Sequence, residues 1–330
     1  MDGIVTRSLR KSFPVRDRLF GRSREHVAVD GLTLTVPPGS VTGLLGLNGA
    51  GKTTTIKVLA TLLRPTSGTV TVDGLDVVTQ ARDVRQRINL IAGGERMVYA
   101  RMTGRENLRY FGLLYGVPTK VLPGRVDELL DLVGLTDAGD TVVERYSRGM
   151  TQRLSIARGL VNDPAYLLLD EPTLGLDAPV ARDLRRVVAS LAARGKGVLL
   201  TSHYLTEVEE LCANVHVIAG GRHLAEGTPA ELTAATGGNR KVRVTVARHS
   251  ASLAAAVAGF ADRLGVTATC DPDDDGGAVV SLSHPDDVAG PLVTAIVAAG
   301  GAVTGLELSE PSLEDAIIAL AGQAPEPVVV

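Results

Sequence analysis

The chain has 330 residues, 45% hydrophobic and 22% charged, with a formal net charge of -3. This is enough apolar material for a full core and enough length for more than one domain. The near-neutral balance argues against a broad nucleic-acid surface, and charged residues, Gly or Pro interrupt every apolar run before the roughly 20 residues a spanning helix needs.

At the N-terminus, MDGIVTRSLRKSF carries basic residues with no apolar stretch behind them, so no signal peptide is expected and the chain is read as cytoplasmic unless a partner holds it at a membrane. The basic run from Arg16 to Arg24 reads as a solvated hairpin. Up to about residue 235, strand-like runs (VTGLLGL, YLLLD, GVLLTS, VHVIAG) alternate with helical segments such as KTTTIKVLATLL, the order of an α/β domain with a parallel sheet. Helical patterns without a convincing strand begin near residue 95 and predict an inserted helical subdomain over about 95–160. Cys212 and Cys270 lack metal-type spacing and are expected as reduced, unpaired thiols.

The small polar stretch TAATGGNR, residues 233–240, predicts a linker. Beyond it the run of elements reads β-α-β-β-α-β, a ferredoxin-like order, followed by one more helix. The predicted domains are therefore residues 1–235, an accessory α+β domain at 240–322 and a frayed tail at 323–330.

Three sets of residues carry chemistry. GLNGAGKT fits GxxxxGK(S/T) between a strand-like and a helix-like run. Gly46, Leu47, Asn48, Gly49, Ala50, Gly51, Lys52, Thr53 and Thr54 then form a phosphate cradle at a helix N-terminus, with Lys52 on the β and γ phosphates and the Thr53 hydroxyl placed for Mg²⁺. The second set is the carboxylate pair Asp170 and Glu171, at the end of YLLLD, where open parallel sheets bind their ligands. By itself this pair reads equally well as a turn cap and a solvated acid. Beside a phosphate cradle, Asp170 becomes the Mg²⁺-side carboxylate and Glu171 the group that polarises the attacking water.

The third set is carried by resemblance. In this order and spacing the chain resembles the ATP-binding subunit of ABC transporters over residues 1 to about 235. YSRGMTQRL resembles the signature sequence, which implies that Ser147 and Gly149 bind the γ phosphate of an ATP held by the opposite protomer. LGLD, ending at Asp177, resembles the D-loop; His203 falls where the family places its switch histidine, and Phe13 where it stacks an aromatic ring on adenine. Each also has a plain structural reading: Ser147 as a helix N-cap, Phe13 as a core aromatic, His203 as a strand-end histidine.

The resemblance departs at two points. Arg148 replaces a common signature glycine, and there is no glutamine between Ile88 and Asn107, where the family's Q-loop glutamine belongs. Glu95 is the nearest side chain to substitute for it as a metal contact; a surface turn is the other reading. The resemblance implies a P-loop NTPase fold and Mg²⁺-dependent ATP hydrolysis in a two-ATP head-to-tail dimer, with a second ATPase subunit from another chain. It also implies a separate transmembrane permease subunit, peripheral attachment to the cytoplasmic face of the membrane, and no nucleic-acid partner. The YSRGM form and the segment SEPSLEDAII resemble ABC-2-type exporters of the daunorubicin-resistance kind. A soluble ATPase acting on ribosomes or DNA, or an importer ATPase, is the alternative.

Overall fold

The computed structural model describes residues 2–16, 23–92, 98–235, 240–272, 276–309 and 312–322. Strands β1 (Ile4–Arg16) and β2 (Ser23–Val36) form a long antiparallel hairpin. In the same first unit follow β3 (Val41–Leu45), β4 (Ser67–Val72) and β5 (Leu75–Asp76), and the four strands outside β3 make one sheet in the order β2-β1-β4-β5. This sheet has no counterpart in the sequence reading. The reason is local: β1 shifts register between Thr6 and Leu9, Leu9 and Lys11, and Lys11 and Ser12, and Ser8 takes a positive φ of 48°. Such bulges break the alternation by which a strand is recognised. Buried Thr6 bridges one of them, its hydroxyl donating to Leu32 O at 3.0 Å and accepting from Leu34 N at 2.9 Å.

The second sheet contains β3 with β6 (Ile88–Ala92), β7 (Tyr166–Asp170), β8 (Gly197–Thr201), β9 (Asn214–Ala219) and β10 (Arg222–Gly227), in the order β10-β9-β3-β8-β7-β6. All neighbours are parallel except β9 and β10. Continuous apolar runs are what a sheet covered on both faces requires. β3 and β8 are buried at all five positions, and β7 at its first four. Leu167, Leu168 and Leu169, each at most 1% exposed, are worth about 2 kcal/mol apiece in burial. Tyr166 ties the sheets together, its hydroxyl donating to Asp73 Oδ1 at 2.7 Å while Arg87 holds Oδ2 at 2.8 Å.

Helices α1 (Lys52–Leu59) and α2 (Ala81–Arg87) lie between the strands of this unit. The inserted subdomain is α3 (Gly104–Leu114), α4 (Leu122–Leu132) and α5 (Arg148–Gly159), which pack on one another. A capping box starts α3: Thr103 accepts from Glu106 N, and Glu106 accepts from Thr103 N. After β7 come α6 (Ala178–Ala193) and α7 (Leu205–Leu211).

The first unit runs to Pro229 and a second covers Ala230–Ala319. Helix α8 (Pro229–Ala235) therefore occupies the first part of the predicted linker, because Pro229 and Glu231 suit a helix start and the alanines after them suit its interior. The second unit has β11 (Arg240–Val246), α9 (Ala251–Leu264), β12 (Ala268–Pro272), β13 (Ala278–His284), α10 (Ala289–Ala298) and β14 (Val303–Ser309), with α11 (Leu313–Gly322) after them. Its antiparallel sheet has the order β12-β13-β11-β14. Val242, Val244 and Val246 point to the core side, packed with Leu253, Val257, Leu292 and Ile296. The predicted tail, 323–330, and most of the basic run, 17–22, lie outside the described residues.

Candidate functional site

The cradle follows β3 directly. Gly46 admits no side chain, since a Cβ would lie 2.1 Å from Ile218 O. Gly51 has φ 102°, and a Cβ there would lie 2.3 Å from Ala28 O. Two elements thus press on the loop from behind and only backbone fits between them. Lys52 opens α1 and is buried, its Nζ donating to Gly46 O at 2.6 Å and Leu47 O at 3.2 Å. Burial lowers its pKa, and the charges of Glu171 and Asp170 act against that shift. Leu47, Asn48, Gly49 and Thr53 are exposed, Thr54 is half-buried, and Ala50 is buried with its carbonyl accepting from Gly221 N at 3.1 Å.

Sheet order brings the carboxylates to this loop, because β8 lies between β3 and β7 and all three run parallel. Asp170 ends β7 and Glu171 follows it with a positive φ of 53°. Thr201, at the end of β8, fixes both: its hydroxyl donates to Asp170 Oδ1 at 2.6 Å, while its carbonyl and hydroxyl accept the Glu171 N–H at 3.0 and 3.2 Å. Those bonds hold Glu171 in a conformation that L-residues otherwise avoid. Its carboxylate then meets His203, Oε1 to Nε2 at 2.7 Å.

A second layer was not anticipated from sequence. Glu207 on α7 is 1% exposed and accepts from Ser202 Oγ and from Thr173 Oγ1. Burial raises its pKa, with the two hydroxyls and Arg185 opposing. The loop after β7, which contains Thr173, and the loop after β8, which contains Ser202 and His203, are thereby tied to one buried carboxyl. A glutamate in TSHYLTEVEELC reads as helix surface; only its place at the start of a short helix turned toward two loops reveals it.

Ser147 and Asp177 are helix N-caps, accepting from Met150 N on α5 and Val180 N on α6 at 3.2 and 3.0 Å. The two helices meet at Gly149, where a Cβ would lie 2.5 Å from Val180 Cγ1. Arg148 reaches from α5 to donate to Gly175 O at 3.0 Å. Ser147 and Gly149 therefore belong with the α5–α6 contact, whereas Lys52, Asp170, Glu171 and His203 share the strand ends of the sheet. Phe13, on β1, is half-buried with the Lys11 ammonium 4.9 Å from its ring centre. Glu95 lies outside the described residues.

Comparison with known proteins gives the family. A family model described as ABC transporter matches residues 29–174. The chain is 41% identical over 297 residues to daunorubicin resistance ATP-binding protein DrrA3 of Streptomyces coeruleorubidus, covering 89% of this chain and 91% of that one. The chain belongs to the ABC transporter ATP-binding family. It is also 44% identical over 212 residues to Nod factor export ATP-binding protein I of Burkholderia lata, covering 64% of this chain and 69% of the other. A solved structure titled as the ATP binding subunit of an ABC transporter superposes with a TM-score of 0.60 at 26% identity, over 71% of this chain and 93% of that one.

This ABC ATPase binds and hydrolyses ATP. Its donor set also fits the ion that accompanies ATP: Asp170 offers carboxylate oxygen, one atom of it engaged by Thr201, and Thr53 an exposed hydroxyl. Hard oxygen donors of this kind suit Mg²⁺.

Proposed function

We propose that the chain is the ATP-hydrolysing motor of an ABC-2-type exporter of drug-like, antibiotic or lipid-like compounds. The 2.7 Å contact of Glu171 with His203 at the strand ends beside Lys52 carries this reading. Glu171 takes the proton of the attacking water; His203 holds its carboxylate from one side, and Thr201 holds its backbone from the other. Lys52, already desolvated, exchanges its bonds to the Gly46 and Leu47 carbonyls for phosphate oxygens. Asp170 and Thr53 hold Mg²⁺, which, when bound, neutralises charge on the phosphates.

Ser147 and Gly149 lie away from this group, on α5, and serve the ATP of a second ATPase subunit, read as another copy of this chain. Asp177 and Phe13 complete the nucleotide contacts. Two ATPs between two subunits draw them together, and hydrolysis releases them. The relatives named for drug resistance and for Nod factor export support the export direction.

The motor acts on a separate permease at the cytoplasmic face; among the described residues no helix is long and apolar enough to cross a membrane. The helical subdomain supports a docking role for that partner: Tyr99, Tyr110, Leu113 and Leu114 are exposed, and Tyr99 and Tyr110 stack edge-on at 5.1 Å. Co-purification of the Glu171→Gln chain with Mg-ATP from detergent-solubilised cells tests the reading. A polytopic membrane protein at stoichiometric yield is expected; ribosomal or DNA-bound partners in its place would overturn it.

A further inference from the structure

We propose that His216, His223 and Glu226 form a divalent-metal site, suited to Zn²⁺, on the β9–β10 hairpin. Nothing in the ATPase reaction calls for these side chains. Their placement depends on one irregularity of the hairpin. Glu226 pairs directly with His216 across the strands, and His223 pairs with Ile218, two residues further along β9, so both lie on the His216 face. Residues three apart on a regular strand face opposite ways; the register shift between His223 and Ala225 is what turns His223 and Glu226 to the same side.

Two of the three donor distances are those of ligands around one ion. His216 Nδ1 lies 3.2 Å from His223 Nε2 and 3.6 Å from Glu226 Oε2, and one ligand atom from each of the three residues falls within 4.8 Å of the others. Tetrahedral zinc with bonds of about 2.0–2.2 Å spaces its donors at about 3.3–3.6 Å. Two imidazoles and a carboxylate are a borderline donor set that favours zinc over Mg²⁺ or Ca²⁺.

Outer contacts support the site as well. Asn214 Nδ2 donates to Glu226 Oε1 at 2.9 Å, which leaves Oε2 directed to His216. His216 is 1% exposed, and a metal would take its ring in the neutral form. His223 is half-buried and Glu226 exposed, which gives the ion a way in and leaves a fourth position for water. A metal held here would clip β10 to β9, and the turn between those strands already bonds the cradle, Gly221 N to Ala50 O at 3.1 Å. The site would therefore stiffen the support behind the phosphate loop.

Zn²⁺ titration of the purified full chain against a chromophoric chelator tests this, together with the visible spectrum of the Co²⁺ form. One equivalent of Zn²⁺ is expected, a rise in the thermal midpoint on binding, and strong tetrahedral Co²⁺ bands. His223→Ala is expected to lose that equivalent, Glu226→Gln to weaken it at least about tenfold, and His203→Ala to keep it. His223→Ala changes a half-buried surface position, and its retained ATP binding and metal-free thermal midpoint certify its fold. No zinc bound by the wild type, or affinity unchanged in His223→Ala, would overturn the proposal; zinc lost only in His203→Ala would move the ion to the hydrolytic site.

Discussion

Glu171 Oε1 and His203 Nε2 stand 2.7 Å apart, on two loops that leave adjacent parallel strands at the same end of the sheet. The contact is partly exposed, with side-chain accessibilities of 24% and 42%, so its value lies in aiming the carboxylate and not in stability. Glu171→Gln keeps the shape but loses the basic oxygen. ATP hydrolysis is expected to fall about 10²- to 10⁴-fold with ATP binding retained. Phosphate release and equilibrium nucleotide binding, measured on the same preparation, check this; hydrolysis at the wild-type rate would remove Glu171 from the role of base.

Thr201 holds both acids through one hydroxyl. Thr201→Val deletes the 2.6 Å bond to Asp170 and one of two acceptors of the Glu171 N–H, while the carbonyl at 3.0 Å remains. The expected result is an Mg²⁺ requirement raised about 10- to 100-fold, as for the loss of a group orienting a metal ligand, with smaller change in ATP affinity. An Mg²⁺ titration of hydrolysis at saturating ATP measures it, and an unchanged titration would leave Thr201 a packing residue only.

Glu207 gives a dependence on pH. Its pKa is raised in the folded chain, chiefly by burial, above the 4.5 of an ordinary glutamate. The folded state therefore holds the proton more tightly than the unfolded state. Its contribution is fully present below the unfolded pKa and is lost as pH rises through the folded one. Glu207→Gln keeps an oxygen for Ser202 and Thr173 but cannot ionise. Its stability relative to wild type is expected to increase as pH climbs from about 4.5 toward neutrality. Denaturant midpoints of both proteins across that range decide the matter, and a constant difference would show that Glu207 is not destabilised by its charge.

Gly149 is required by packing and not by backbone freedom. A Cβ there would overlap Val180 Cγ1 at 2.5 Å, across the contact that joins the signature helix to the D-loop helix. Gly149→Ala is expected to cost about 1–3 kcal/mol, most of it recovered in the double variant with Val180→Ala. A thermal or denaturant double-mutant cycle reads the coupling; strictly additive losses would place the strain elsewhere.

How much could be read from the chain follows the range of the forces involved. The cradle Gly46 to Thr53, the strand YLLLD with Asp170 and Glu171 after it, and the β-α-β-β-α-β order of the second unit are set by neighbours a few residues apart: glycine spacing, apolar runs and caps. These were legible. The N-terminal sheet was not, because three register shifts in β1 erase its period, nor was α8, whose last three residues read as the start of a linker. The partners of the acids are set by which strands lie side by side. Thr201, Ser202 and Glu207 are 31 or more positions from Asp170, and they reach its loop because β8 pairs with β7. His216, His223 and Glu226 converge through a bulge that composition does not announce. Local sequence determined the glycine loop, the apolar strands and the acids that follow them; long-range strand pairing, paid in chain entropy and repaid by burial, decided which side chains meet.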